Sequence, residues 1–369
     1  MLQAGKNITA KYISPEQSES HKYPCYGGNG IRGFVTNSNR RGEFPIIGRQ
    51  GALCGNVNLA IGEFYATEHA VIVDRFSNTD LMWAYYTLIA LNLNQYATAT
   101  AQPGLAVSVI NDVIVPIPPL QEQCRISKTI TLLFSLIDEI EHGKQNLKDT
   151  IKQAKTKVLD LAIHGKLVPQ DPNDEPASEL LKRINSKAES ISDNGHYQKL
   201  PKGWCLVKGK HIFNPMKSCK PIGETFKYID IDAIDNKRQI ISNVKILKVA
   251  NAPSRASRFT QKGDVVFSLV RPYLRNIAIV SENDCIASTG FYVCHPTEVL
   301  LPKYCYHLMI SDYVINGLNE FMKGDNSPSI NKGDIDNWLF PIPPLAEQKR
   351  IVSKIEEIFS QFDAIETAL

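Results

Sequence analysis

The sequence PIPPLQEQCRI, residues 116–126, returns as PIPPLAEQKRI at residues 341–351. The two copies lie 225 residues apart, and the same offset relates identical residues around them, from Pro103 and Pro328 to Glu141 and Glu366. A period this long is far above the roughly 20–50 residues of solenoid repeats. It predicts two copies of one unit, each a large segment followed by a helix that begins at the PIPPL motif.

The prolines predict where each helix begins, because proline is excluded from a helix interior but suits its first turn. Beyond them, apolar residues recur at alternating steps of four and three, which is typical of a coiled coil. We predict that these stripes form a helix-pair or partner interface. Their leading members are Ile126, Ile130, Leu133, Ile137 and Ile140 in the first copy, and Ile351, Ile355, Ile358, Phe362 and Ile365 in the second. The alternative is two amphipathic helices that pack separately on globular domains.

Both helices have predictable bounds. Gly165 and then Pro169 follow the first stripe, so the first helix is expected over residues 120–163, about 65 Å at about 1.5 Å per residue. The second is expected from Leu345 to Leu369. The second unit opens with LPKGWCLVKGKHIF at Leu200, and the counterpart of this segment would fall before residue 1. We therefore expect the first unit to lack an opening strand.

Length and composition favour two or three ordinary globular domains. The chain has 369 residues, 43% of them hydrophobic and 21% charged, without a long apolar run or an apolar signal sequence. Short apolar runs at 45–47, 57–61, 70–73, 265–270, 277–280 and 291–294 predict strands, and 79–93 and 301–321 predict helices. The fold class is therefore mixed α/β. The eight cysteines form no C-x-x-C pair, which fits free thiols and a cytoplasmic protein.

The sequence contains no recognisable catalytic centre. The GGNG at residues 27–30 is not a dinucleotide fingerprint, and there is no phosphate-binding P-loop and no H-E-x-x-H zinc motif. The fragment DPNDEPASELLK, residues 171–182, weakly resembles a nuclease carboxylate-lysine pattern, but a solvated helix is the better interpretation. No metal site is predicted.

Two segments are locally basic although the net charge is only +3. Residues 200–280 contain fifteen Lys and Arg against five Asp and Glu, and residues 22–49 contain five Lys and Arg against one Glu. Basic groups interleaved with Asn, Gln and Tyr favour contacts with phosphates and base edges. The alternative is that many of these are ordinary solvated charges.

The paired PIPPLxEQxRI helices, the phrase HGKLVPQDPNDEPASELLKRI and the opening LPKGW together resemble the DNA-specificity subunit of type I restriction–modification systems. The resemblance covers essentially the whole chain, and YGGNGIRG and GRQGALCGN match a pattern of that family's target-recognition domains. It implies two similar globular DNA-recognition domains separated by two long antiparallel coiled-coil helices. The implied layout is a first target-recognition domain at 1–115, a spacer helix at 116–168, a linker at 169–199, a second domain at 200–340 and a second spacer helix at 341–369.

The resemblance also implies a function and partners. Each domain would read one half of a split target in double-stranded DNA, and the helices would set the spacing. Two methyltransferase subunits and restriction subunits would join this chain and would bind S-adenosylmethionine, ATP and Mg, so the chain itself would need no cofactor and would not be an enzyme. The alternative is an assembly scaffold, or an inactive recombination-donor allele, because the short ends predict weaker assembly.

For DNA contact we select basic and amide residues of the two basic segments and their neighbours. These are Asn29, Arg32, Arg40, Arg41, Arg49 and Gln50 in the first domain, and Lys217, Lys220, Arg255, Arg258, Arg271, Arg275, Lys323 and Asn326 in the second.

Overall fold

A computed structural model describes residues 2–75, 78–98, 103–191 and 200–369 of the chain. The chain divides into two compact units, Met1–His142 and Gly143–Leu369. The boundary falls inside one long helix. The mixed α and β architecture predicted from the sequence is confirmed in both units. Residues 192–199 of the expected linker, and 76–77 and 99–102 of the expected first recognition domain, lie outside the described residues.

The described residues of the first unit form a six-stranded sheet and three α-helices, the last of which continues into the second unit. Its strands are β1 (Leu2–Ala4), β2 (Tyr23–Gly27), β3 (Gly30–Val35), β4 (Arg40–Gly48), β5 (Val57–Ala66) and β6 (Ala70–Val73). Its helices are α1 (Leu81–Ala90), α2 (Val107–Asn111) and α3 (Leu120–Ile163). The strand order is β1-β6-β4-β5-β2-β3, in which β2 and β5 are parallel and the other neighbours antiparallel.

Local contacts fix the start of α1 and its packing against α3. The side chain of Asp80 caps α1 by accepting a hydrogen bond from the backbone N–H of Trp83 (2.8 Å). Tyr86 of α1 then packs against Phe134 of α3, with ring centroids 5.8 Å apart. The long helix α3 begins and ends where the prolines and Gly165 predicted.

The second unit contains more and shorter elements. Its strands are β7 (Ser190–Ile191), β8 (Cys205–Lys208), β9 (Thr225–Ile229), β10 (Ile234–Asp235), β11 (Ile240–Ile241), β12 (Lys245–Lys248), β13 (Ala256–Thr260), β14 (Val265–Ser268), β15 (Ile277–Ile279), β16 (Cys285–Ser288), β17 (Phe291–Cys294) and β18 (Leu339–Ile342). Its helices are α4 (Ala177–Ile184), α5 (Gly209–Ile212), α6 (Pro302–Met309), α7 (Asp312–Asn319), α8 (Lys332–Asn337) and α9 (Leu345–Ala368).

The two units share several strand pairings, although the first has one six-stranded sheet and the second has several smaller sheets. β9 lies parallel to β16 as β2 lies parallel to β5, and β14 pairs with β15 and β17 as β4 pairs with β5 and β6. The long β4–β5 hairpin corresponds to two shorter pairs, β14–β15 and β13–β16. Within this hairpin, Gly42 faces Gly62 and both have positive φ. In the second unit the strands break at the corresponding turns, at Gly263 and Asp284, which also have positive φ.

Within the second unit, α9 packs antiparallel to the C-terminal part of α3. The Lys144 ammonium donates to the backbone oxygen of Leu369 (2.6 Å), and Lys155 pairs with Asp363 and Glu366 at 2.8 and 2.9 Å. Further along, Leu159 lies in the same hydrophobic cluster as Ile351 and Ile355. This lengthwise contact confirms the predicted antiparallel helix pair and excludes separate packing for α9.

The two predicted stripes differ in exposure along their length. In α9, Ile351 and Ile355 are buried, Ile358 and Phe362 are half-buried, and Ile365 is exposed. In the part of α3 that belongs to the first unit, Ile126 and Ile130 are half-buried, and Leu133, Ile137 and Ile140 are exposed. The same periodic pattern is therefore covered in one copy and largely uncovered in the other.

Candidate nucleic-acid interface

In the first unit, two chain segments are joined into a paired loop that follows the end of β4. We call residues 49–55 together with residues 103–105 the first paired loop. The backbone N–H of Leu105 donates to the carbonyl of Arg49 (2.8 Å), and that of Gly51 donates to the carbonyl of Pro103 (2.9 Å). Gln50 lies between these bonds and is exposed, so an amide side chain stands at the surface of the loop.

In the second unit, the equivalent segments form the second paired loop, residues 269–275 together with residues 323–330. The backbone N–H of Ile330 donates to Leu269 (2.9 Å), and that of Arg271 donates to Pro328 (2.8 Å). These bonds correspond one to one with those of the first paired loop. Both units therefore build the same surface feature at the same point of the sheet.

The two paired loops differ at the positions that adopt left-handed backbone conformations. Gly51 and Gly55 have φ of 92° and 89° in the first loop. Arg271 and Arg275 stand at the corresponding positions in the second, with φ of 48° and 57°. Glycine occupies this region without penalty, whereas a side chain there is disfavoured, and such residues cluster at functional sites. The second loop thus keeps two arginines where the backbone favours glycine.

These two arginines have different surroundings. Arg275 pairs with Asp312 and also donates to the carbonyl of Ile310 (3.2 Å), so its guanidinium holds the loop against the helices α6 and α7. Arg271 is exposed and donates through one Nη to the backbone oxygen of Asn326 (2.7 Å). This leaves other Arg271 N–H groups toward solvent, beside the exposed Asn326.

Lys323 begins the second segment of this loop. Its backbone exchanges both hydrogen bonds with Ser329 (2.9 Å each), and its side chain is exposed. The structure therefore brings Arg271, Arg275, Lys323 and Asn326 into one paired loop, as candidate site residues of the second domain.

The glycine-rich turn between β2 and β3 lies against the first paired loop. A Cβ at Gly28 would stand 2.7 Å from the carbonyl oxygen of Gln50, so only glycine permits this approach. Next to it, the exposed Asn29 accepts a hydrogen bond from the Asn56 side chain (2.8 Å). Arg32 on β3 is exposed and packs beside Gly27. Asn29, Arg32, Arg49 and Gln50 therefore belong to one region of the first unit.

Arg40 and Arg41 lie apart from this group, because they are at the start of β4 and the first paired loop follows its end. Arg40 donates to Gln3 Oε1 (2.7 Å) and to the backbone oxygen of Asn39 (3.3 Å). Arg41 is exposed and its cross-strand partner is Glu63. The structure does not place this pair in the first paired loop.

In the second unit, four other predicted residues line the outer edge of β13. The segment 217–219 runs beside this strand, with Phe259 N–H donating to Lys217 O and Cys219 N–H donating to Ser257 O (3.0 Å each). The four predicted DNA-contact residues in this region are Lys217, Lys220, Arg255 and Arg258. Arg258 is half-buried, and its Nε has no hydrogen-bond partner among the described residues. These residues form a second basic group, separate in sequence from the paired loop.

Two features were not predicted from the sequence. One is that Tyr273 belongs to the second paired loop, and the other is that the two paired loops are equivalent. Tyr273 is 46% exposed between Arg271 and Arg275, which places an aromatic face among basic groups. An alignment of GRQGALCGN (48–56) with SLVRPYLRN (268–276) could have shown this. It requires an offset of 220 instead of 225, because the chain between the loops and the PIPPL motifs differs in length.

Several features outside the candidate interface bear on other functions. No group of three or more His, Cys, Asp and Glu side chains among them is placed to hold a metal ion. Burial raises the pKa of Cys25 to about 11 although Arg32 opposes this, and burial raises the pKa of Cys205 to about 12, so both thiols are protonated at neutral pH. In the DPNDEPASELLK segment, Glu175 pairs with Arg183 (2.6 Å) on α4, as in an ordinary solvated helix. No helix within the described ranges has the length and apolar character needed to span a membrane.

Comparison with known proteins gives one consistent result. A family model described as the type I restriction modification DNA specificity domain matches residues 3–149 and 214–369. The chain is 41% identical over 160 residues to the Escherichia coli type I restriction enzyme EcoprrI specificity subunit, covering 43% of this chain and 40% of that protein. It is 26% identical over 315 residues to the E. coli EcoAI specificity subunit, covering 66% and 53%.

Among solved structures, the crystal structure of the HsdS subunit from Thermoanaerobacter tengcongensis matches with a TM-score of 0.45 and 37% identity, over 47% of this chain and 46% of that one. The chain spans about half the length of the curated relatives it matches, 40% and 53% for the two named above.

Proposed function

The chain belongs to the type I restriction modification DNA specificity family, and from this premise we propose that it is the DNA sequence-recognition subunit of a type I restriction–modification complex. In this proposal each recognition domain, residues 1–115 and 200–340, reads one half of a bipartite site in double-stranded DNA. The chain positions other subunits and performs no chemistry of its own.

The observation that supports this function best is the pair of equivalent loops. Both carry exposed donors that suit DNA: Gln50 in the first, Arg271 and Asn326 in the second. An arginine can grip guanine O6 and N7, and an amide side chain can pair with adenine. Different side chains on the same backbone frame would give each domain a different half-site, which is what a bipartite reader needs.

The helices supply the second part of the proposal. One turn of B-DNA is about 34 Å, and half-sites are commonly separated by one turn or a multiple of it. The 44 residues of α3 correspond to roughly 66 Å of helix at about 1.5 Å per residue. We infer that α3 and α9 act as spacer helices that fix the half-site separation.

The partners and cofactors follow from the same proposal. Two methyltransferase subunits would dock on this chain and restriction subunits would join them. S-adenosylmethionine, ATP and Mg would be bound by those subunits, because a base must leave the duplex to be modified and that chemistry requires an enzyme's active site.

A cellular experiment tests the function. Methylated adenines are mapped genome-wide in cells with this gene and in cells lacking it. We expect a bipartite motif that disappears with the gene. An unchanged methylation map in cells that express all the subunits would contradict the proposal.

A binding experiment tests the loop. In the complex with its methyltransferase subunit, Arg271→Gly keeps a residue that accepts the left-handed conformation and removes only the side chain. If Arg271 reads a base, binding falls by about 1–3 kcal/mol and specificity relaxes at one position; if it contacts a phosphate, binding falls equally on all sequences and the salt slope drops by about 1. Lys262→Ala is the control, because Lys262 is exposed at the opposite end of β14.

Unchanged affinity and specificity in Arg271→Gly would remove the second paired loop from the interface. An assembled complex that binds no DNA even at low salt would instead favour the scaffold interpretation, because phosphate contacts always give salt-dependent binding.

A further inference from the structure

The two paired loops carry tips of the same backbone shape. We call residues 52–54 the first tip and residues 272–274 the second tip. Each tip lies between the two left-handed residues of its loop. In each, the last residue donates its backbone N–H to the carbonyl of the residue before the tip, at 3.0 Å in the first and 2.9 Å in the second. The two tips therefore correspond residue by residue.

A side-chain amide fixes the last residue of each tip. Asn94 Nδ2 donates to the carbonyl of Cys54 (2.8 Å), and Asn236 Nδ2 donates to the carbonyl of Leu274 (3.0 Å). The two asparagines belong to different kinds of element, a 3-10 helix at Leu93–Tyr96 and the turn between β10 and β11. The two units therefore hold the same tip conformation by different means.

The central residue of each tip is a large apolar side chain at the surface. Leu53 is 55% exposed, and its counterpart Tyr273 is 46% exposed. Tight turns favour Gly, Pro, Asn, Asp and Ser, so the turn itself requires neither Leu nor Tyr here. Single exposed apolar residues are common on protein surfaces, but these two recur at one position of two tips that share no identical residue. This recurrence indicates that the position contacts a ligand.

The loops around the tips are basic. The charged residues of the paired loops are Arg49 in the first, and Arg271, Arg275, Lys323 and Asp325 in the second. Even when the Asp312 that pairs with Arg275 is counted, each loop keeps an excess of one basic residue. The ligand that suits such a tip is an anion that also presents apolar groups. In the major groove of DNA, the 5-methyl group of thymine is the apolar group displayed among the donors and acceptors of the base edges.

We propose that Leu53 and Tyr273 are specificity-determining residues, each of which packs its side chain against the 5-methyl group of a thymine in the major groove. Leu53 serves the half-site of the first unit and Tyr273 the half-site of the second. This inference rests on the proposed DNA-recognition function and deepens it. The exposed donors Gln50 and Arg271 of the same loops read polar base edges, so each loop combines a polar contact with an apolar one.

The position of these donors favours the major groove over insertion of the tip between base pairs. Gln50 and Arg271 lie within three residues of the tip centres. Apolar wedges that unstack base pairs enter from the minor groove, where the pattern of donors and acceptors is degenerate. An amide or guanidinium group beside the tip would distinguish few bases there, whereas in the major groove it distinguishes adenine or guanine.

The test uses the complex of this chain with its methyltransferase subunit, and a duplex that carries the bipartite motif found by methylation mapping. Each thymine of the two half-sites is replaced in turn by deoxyuridine, which removes only the methyl group. We expect one replacement in each half-site to weaken equilibrium binding about three- to five-fold, the amount expected for burial of one methyl-sized group.

Alanine variants assign these contacts to the tips. In Leu53→Ala, thymine and deoxyuridine should bind equally in the half-site of the first unit, while the other half-site keeps its full effect. Tyr273→Ala should do the reverse, and Tyr273→Phe, which keeps the ring, should keep both effects. The matched controls are Ile89→Ala and Ile246→Ala, at isoleucines of the first and second unit that are 48% and 71% exposed, and both should keep the two effects. Circular dichroism verifies that all variants fold.

Two results overturn the proposal while the proposed function stands, provided that the unaltered complex still prefers the bipartite duplex. One is a half-site in which no deoxyuridine replacement weakens binding. The other is a methyl effect that persists in both Leu53→Ala and Tyr273→Ala. Weaker binding of an alanine variant without any deoxyuridine effect in the unaltered complex would indicate insertion between base pairs, and it also overturns methyl contact. A complex without preference for the bipartite duplex would contradict the proposed function, and this inference with it.

Discussion

Gln123 and Gln348 hold the same place in the two PIPPL motifs and share two contacts, although Gln348 also donates to the carbonyl of Val299 (2.8 Å). The oxygen of each accepts the backbone N–H of the residue before α1 or α6, from Asp80 at 2.9 Å and from Leu301 at 2.8 Å. Each amide nitrogen donates to a proline carbonyl of its own motif. Gln thus joins the helix that follows each PIPPL motif to the globular part of its unit in both copies.

The neighbouring glutamates behave differently. Glu347 is buried beneath Trp204 and Gln170, whereas Glu122 pairs with Arg125 at the surface. The glutamine's partners lie within each repeat, but the glutamate's partners come from residues 165–204, which cover one copy only. Two equivalent residues in the repeats therefore make the same contact only when the partner residue is also present in both repeats.

The largest expected difference between the copies concerns matched isoleucines. Ile342→Ala should lower the free energy of unfolding of the second unit by about 2–5 kcal/mol, because it empties a buried core position. Ile117→Ala should change the first unit by less than about 0.5 kcal/mol, because Ile117 is exposed. Urea unfolding followed by fluorescence measures both, since Trp83 reports on the first unit and Trp204 and Trp338 on the second. Equal losses would contradict the difference in burial.

The second prediction concerns pH. Burial lowers the pKa of His307 to about 4; the nearby Glu356 opposes this shift, and Lys303 adds to it. Between its ordinary value of 6.5 and about 4, the unfolded chain binds a proton that the folded chain does not. The second unit should therefore be fully stable above about pH 6.5 and lose about 2 kcal/mol by pH 5.

The control for this pH effect is His307→Phe, which keeps the ring that packs on Phe359 and removes the titration. The position equivalent to His307 in the first unit is Tyr86, so unfolding of the first unit should not show this loss. A pH dependence of the second unit that persists in His307→Phe would assign the effect to another group.

The third prediction tests what the copies share. Gln123→Ala and Gln348→Ala should each destabilise their own unit by about 1–2 kcal/mol, because each leaves a backbone N–H and a proline carbonyl without partners. The same unfolding assay applies. A loss in one unit only would show that the two glutamines are not equivalent.

The smallest expected difference in the free energy of unfolding is between substitutions of Glu347 and Glu122. Glu347→Gln should cost about 1 kcal/mol, because an amide can accept from only one of Trp204 and Gln170 where the carboxylate accepts from both. Glu122→Gln should be nearly neutral for stability, since it loses only a surface ion pair. If Glu122→Gln cost as much as Glu347→Gln, Glu122 would have contacts beyond Arg125.

Much of the architecture follows from local sequence. The proline pairs and Gly165 set the bounds of α3, because their backbone restrictions act within a turn of the chain. Periodic apolar residues predicted both long helices, since side-chain direction repeats with the backbone, and short apolar runs predicted the strands β4, β5, β6, β14, β15 and β17. The family resemblance came from the same short motifs.

Only part of the candidate interface could be predicted from local sequence. Basic residues were visible in the sequence, but their grouping was not: Arg271 and Asn326 meet because two segments more than fifty residues apart pair with one another. Charge counts alone could not separate the exposed Arg271 from Arg275, which Asp312 holds. The DNA-contact residues themselves stay predictions.

The sequence by itself determined the duplication, which is visible as matching residues, and the two helices and the mixed fold, which depend on residues close together in the chain. Only the tertiary structure decided that Ile342 is buried and Ile117 is exposed. It also decided that arginines in the second paired loop adopt the left-handed conformation that glycines adopt in the first paired loop. The physical reason is that burial depends on which distant segment arrives to cover a residue, and identical local sequences carry no information about that.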